Sequence, residues 1–129
     1  MLRSFVRPAG KVAGRVRVVA EGAAPKPEDF RRVDEAIAQA GPNDPEVAPW
    51  FENYVAVARE RLAFDLGFLR EYSPLGARVL DLGAVPPVLC GAAASVGFAV
   101  QAVDIAPARF EAAFERLGVE ALACDLERE

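Results

Sequence analysis

Arg78-Val79-Leu80-Asp81-Leu82-Gly83-Ala84-Val85-Pro86-Pro87 decides the fold of this chain. Its first five residues form a short, largely apolar run between breakers, with Ser73-Pro74 and Gly76 before it and Gly83 after it. Such a run reads as a buried strand of a parallel sheet. From there onward the period alternates strictly. Pro86 to Val96 reads as a helix ending at Gly97, and Phe98 to Val103 as a strand. Pro107 to Leu117 reads as a helix ending at Gly118, and Val119 to Cys124 as a third strand. Gly91, Ala92, Ala93 and Ala94 in the first of these helices are small enough for close packing on a sheet. The predicted unit is β-α-β-α-β in the α/β class. Right-handed crossovers place its strands in the order 3-2-1, one half of a doubly wound parallel sheet.

Upstream of the decisive stretch the period is helical. Phe51, Val55, Ala58, Leu62, Leu66 and Leu69 recur at spacings of three and four, which predicts a packed helix face from about Trp50 to Tyr72. Before the loop at 41–49, Phe30, Val33 and Ile37 predict a second helix, from Pro27 to about Ala40. Pro27 suits its first turn, and Glu28 and Asp29 complement the positive end of its dipole. Between Lys11 and Ala20, Val12, Val16 and Val18 fall on one face and Lys11, Arg15 and Arg17 on the other, the period of a half-buried strand. Residues 1–26 are therefore read as a basic arm with one short strand. Residues 27–129 are read as a helical lead-in followed by a truncated α/β domain.

With 129 residues, 53% hydrophobic and 26% charged, the composition excludes disordered, collagen-like and disulfide-scaffold classes. Apolar runs are too short for a membrane span of about 20 residues, so a soluble, cytoplasmic protein is expected. Histidine is absent, which removes Ser-His and Cys-His catalytic pairings and the commonest zinc ligand. Cys90 and Cys124 lack CxxC spacing and read as buried free thiols, and no metal site is expected. Residues 1–20 carry five cations and no acid, while the whole chain carries a net −4. The acidic remainder argues against nucleic acid as a principal partner, because phosphate neutralisation needs a basic surface.

Three acids fall where the predicted strands end: Asp81, then Asp104 twenty-one residues after Gly83, then Asp125. In open α/β sheets this edge binds ligands, and a carboxylate closing the second strand can accept hydrogen bonds from a ribose diol. These segments resemble class I S-adenosylmethionine-dependent methyltransferases, whose Rossmann-like domain opens with a strand and a loop of the form DxGxGxG. Here VLDLGAVPP stands in that place, with AVDI at 102–105 and CDLE at 124–127 similar to the later cofactor segments. The resemblance covers roughly residues 45–129. It implies S-adenosyl-L-methionine as cofactor, with Asp81, Gly83 and Ala84 near its methionine part, Asp104 and Ile105 at the ribose, and Asp125 and Leu126 at the adenine. It also implies that Tyr54 of the preceding helix could reach over the cofactor. Val85 and Pro87 replace the second and third glycines of the loop.

The function expected from the resemblance is methyl transfer to an unknown acceptor, with this chain as the cofactor-binding half. Acceptor residues in that family come from later strands, so no catalytic residue is assigned. Two other readings compete. An NAD-binding half has the right strand, loop and distant acid, but GxGxxG would need glycines at Val85 and Val88. A non-catalytic interaction module is the other. With no fourth strand, Val79-Leu80 becomes a sheet edge that invites a homodimer or another partner.

Overall fold

The computed structural model describes residues 24–128. The strand expected between Lys11 and Ala20, and nearly all of the basic arm, lie outside these residues. The described chain is α/β. It runs through α1 (Pro27–Gln39), α2 (Ala48–Tyr72), β1 (Arg78–Leu82), α3 (Val88–Val96) and β2 (Ala99–Asp104). A 3-10 turn (Pro107–Phe110), α4 (Glu111–Leu117) and β3 (Glu120–Ala123) follow.

The start of α1 is fixed by chemistry that the sequence pattern understated. Beyond complementing the helix dipole, Asp29 is the most buried charged side chain among the described residues, at 1% exposure. It accepts the Lys26 backbone N–H at 2.8 Å, satisfying one of the amides left over at the start of a helix. It also takes a two-pronged bond from Arg70 of α2, at 3.0 and 2.7 Å. Burial pushes the Asp29 carboxyl up, but the Arg70 bonds and the Lys26 amide outweigh it and hold the group below its ordinary value. This pair ties the first turn of α1 to the last turns of α2.

The three strands are all parallel, in the order β1-β2-β3 with β2 central. In register, Asp81, Ala102 and Ala121 stand side by side, as do Leu82, Val103 and Leu122. The core lies between the sheet and the helices, around Val33, Leu62, Leu66, Val88, Ala92 and Phe110. A Cβ on Gly91 would stand 2.6 Å from Leu117 Cδ2, so any larger residue there forces the Leu117 side chain to shift between α3 and α4.

Three expectations need correction. β1 is not buried on both faces: Leu80 and Leu82 are 45% and 51% exposed, and Leu122 beside them is 55% exposed. The continuous apolar run correctly marked a strand, but the described helices cover one face of the sheet only. Cys90 is buried, whereas Cys124 is only partly so. The helix expected from Pro86 begins at Val88, because each proline biases the residue before it away from helical backbone. Among the described residues no helix is long and apolar enough to cross a membrane.

Candidate functional site

The carboxyl ends of β1 and β2 meet in one hydrogen-bonded junction. Gly83 turns the chain out of β1 at φ +72°, a conformation that disfavours any residue with a side chain. Its N–H and that of Ala84 both donate to the Val103 carbonyl, at 2.8 and 3.2 Å. Asp104, ending β2, then holds the next residue of the loop: the Val85 N–H donates to Asp104 Oδ2 at 3.0 Å. The other oxygen accepts the Ala106 N–H at 2.9 Å, closing the turn that leads to the 3-10 segment. The Asp104 carbonyl accepts the Cys124 N–H at 2.9 Å, which carries the junction across to the end of β3.

Every amide of this loop is thereby committed inside the chain. Gly83, Ala84 and Val85 are bonded as above, Pro86 and Pro87 have no N–H, and Val88 donates to the Pro86 carbonyl at 2.9 Å. The Val85–Pro86 peptide is cis. Space exists beside the turn, since a Cβ built on Gly83 would meet no atom of the described residues within 4 Å.

Asp81 turns its side chain toward α3, where the Cys90 thiol donates to Oδ2 at 3.0 Å. Burial raises the Asp81 carboxyl above its ordinary value, and the Asp104 charge adds to this against the opposing pull of the thiol bond. Burial and the same carboxylate push the Cys90 thiol strongly up, so it is a neutral donor and no nucleophile. Asp65, on α2, is raised in the same way, first by burial and then by the charge of Asp81, with Arg61 acting against it. The Asp81 charge thus bears on Asp65, and the Asp104 charge on Asp81. Sequence reading missed Asp65 and the Cys90 contact. Asp65 lies in a helix thirteen residues before β1 opens, and only folding brings it near Asp81.

The remaining expected residues are placed as follows. Ala84 is buried, while Ile105 and Leu126 are exposed. Asp125 accepts the Glu127 N–H at 3.1 Å and pairs with Arg128 at 3.4 Å, so it caps the final turn. Gly83 and Ala84 are held to the end of β2 through the Val103 carbonyl and Asp104 through the Val85 amide, Asp125 follows Cys124, which donates to the Asp104 carbonyl, and Asp81 bonds Cys90. Tyr54 stacks on Trp50 with ring centroids 5.6 Å apart, and its hydroxyl accepts a bond from Arg61 at 3.0 Å. Trp50 in turn meets Phe110 of the turn after β2 edge-on, at 6.4 Å. A cleft of 970 Å³ lies at the opposite, amino end of the strands, near Arg78, Phe98 and Arg116, and none of the expected site residues lines it. Among the described residues no group of three or more His, Cys, Asp or Glu side chains is arranged to hold a metal ion.

Comparison with protein families, with curated proteins and with solved structures finds no match for this chain.

Proposed function

We propose that the carboxyl edge of the sheet is an S-adenosylmethionine site, and that this chain is the cofactor-binding half of a cytoplasmic class I methyltransferase. Its strands would be the 3-2-1 half of a Rossmann-like doubly wound sheet. The observation that carries the reading is the junction itself, where the acid ending β2 grips the loop after β1 beside the open space at Gly83. A carboxylate has about four acceptor directions, and the two bonds to Asp104 leave room for a ribose diol. Ile105 and Leu126 supply exposed apolar surface for a base. Asp81 and Asp65 supply negative potential next to the loop, which suits a sulfonium or an ammonium.

The bound cofactor would supply a methyl group already activated on sulfur, so these residues need only bind and orient it. The committed amides disfavour the NAD reading, because a pyrophosphate at this edge requires free backbone N–H groups. One observation favours a non-catalytic interaction module instead, the open apolar face formed by Leu80, Leu82 and Leu122. Calorimetric titration of the full chain with S-adenosylmethionine, S-adenosylhomocysteine and NAD separates the three readings. Heat with S-adenosylmethionine that is lost in Asp104→Ala is the expected result. NAD-selective heat would overturn the proposal, and silence with all three ligands would leave the interaction module.

A further inference from the structure

The cleft at the amino end of the strands has, at 970 Å³, the size of a small-molecule site. Three helices end around it, for Gln39 of α1, Ser95 of α3 and Leu117 of α4 all line it. The last carbonyls of a helix have no partner within it and carry negative partial charge, so they attract cations and repel anions. Two of the arginines that line the cleft meet this demand. Arg32 donates to the Ser95 carbonyl at 3.2 Å and pairs with Glu28 at 3.0 Å. Arg116 donates to the Gln39 and Gly41 carbonyls, at 3.0 and 3.1 Å.

Arg78, at the start of β1, has no such task. It lines the same cleft, yet its guanidinium takes part in no hydrogen bond or ion pair among the described residues. Arg116 bonds carbonyls only, so no carboxylate of the described residues cancels its charge either. Of the two acids that line the cleft, Glu35 is paired with Arg31 and Glu120 has no cation. Two uncancelled cations against one uncancelled acid leave this lining with a single positive charge. Elsewhere the lining is apolar, with Val79, Val100 and Leu117 only partly buried.

These features select a ligand. A doubly charged anion such as phosphate exceeds the charge of the lining, meets three repelling helix ends and has nothing to set against the valines. An apolar molecule with one carboxylate matches the charge and the surface together, and a guanidinium fork fits a carboxylate with two parallel bonds. We propose that the cleft binds a small organic monocarboxylate, with the carboxylate on Arg78, assisted by Arg116, and the apolar body against Val79, Val100 and Leu117. None of the residues assigned to the cofactor lines this cleft, so the inference holds whatever ligand the carboxyl edge takes.

Titration of the full chain with octanoate, followed by amide NMR shifts, tests it. Saturable shifts should appear at Ala94, Val100, Gly118 and Glu120, and not at Gly83, Val85 or Asp104. Octanol and octylamine, of the same length, should bind at least about tenfold more weakly, because neither can accept the charged bond to a guanidinium. Inorganic phosphate should give no saturable shift. Arg78→Gln should weaken octanoate about tenfold while leaving the urea midpoint in place, since this side chain has no partner to lose. Arg78→Lys should retain part of the affinity, as it keeps the charge and loses the fork. Absence of saturable shifts, or shifts confined to the carboxyl edge, would overturn the proposal. So would equal affinity for octanoate and octanol, phosphate binding as tight as octanoate, or unchanged affinity in Arg78→Gln.

Discussion

Replacing Asp104 by alanine asks whether the acid ending β2 holds the loop after β1 or merely stands beside it. Its carboxylate makes two bonds, to the amides of Val85 and Ala106, and they differ in worth. The Val85 amide is partly buried, so losing a charged acceptor there costs about 1.5–3 kcal/mol. Ala106 is exposed, water replaces its partner, and that bond contributes about 0.5 kcal/mol. The expected loss is therefore about 2–3.5 kcal/mol. For a chain of this size it corresponds to a fall in melting temperature of roughly 8–14 °C. Asp104→Asn keeps one acceptor and sets an N–H against the other amide, so it should recover at most half of the loss. Urea unfolding monitored by fluorescence of Trp50, with circular dichroism as a second probe, measures all three chains. A loss below about 0.5 kcal/mol in Asp104→Ala would refute the reasoning. The loop would then be held by the Gly83 and Ala84 bonds to Val103 alone.

Two further outcomes follow from the other carboxylates. Asp29→Ala removes a buried partner of Arg70 and the acceptor of the Lys26 amide, and should cost about 2–4 kcal/mol at pH 7. The folded value of Asp29 lies below its ordinary 3.8, so its stabilisation is complete above that value and is lost as pH falls through the folded one. The gap between native and variant chains in urea melts should close over that acid range, and a gap that persists unchanged would contradict the assignment. Asp81→Asn should act in the opposite sense, because the folded value is raised and the charged form is the costly one. Stability should rise at neutral pH, and the gain should fade as pH falls through the raised value toward 3.8. A loss at pH 7 would show that the Cys90 contact matters more than the burial of charge.

Periodicity was a good guide wherever burial alone decides structure. The stripe on α2 placed Phe51, Ala58, Leu62 and Leu66 in the core, and all four are buried. The change of period at Arg78 located β1 residue by residue. Its second face was not legible, because a run of apolar residues has the same pattern whether one layer of helices or two will cover it. Asp29 was not legible either. A single acid in a first helical turn is ordinarily solvated, and only the arrival of Arg70 from forty-one residues away makes its burial tolerable. Asp81, Gly83 and Asp104 could be singled out because the strand ends fix their positions. Asp65 could not, since nothing in its local sequence indicates a neighbour on β1.

The departure from a glycine-rich loop sets the polarity of the site as well as its shape. A loop with outward-facing amides presents donors and receives anions. Here Gly83 and Ala84 turn their amides back to Val103, Val85 gives its own to Asp104, and the two prolines offer none. What remains facing outward is acceptor-rich: the spare lone pairs of Asp104, with Asp81 and Asp65 behind them. Phosphates are repelled by such an edge, whereas hydroxyls, ammonium groups and sulfonium ions are matched to it. Under the proposed function, Val85 and Pro87 therefore favour a ligand that donates hydrogen bonds or carries positive charge. On that logic the cationic S-adenosylmethionine should bind more tightly than the neutral S-adenosylhomocysteine, and added salt should narrow the difference, because screening weakens only the charged interaction.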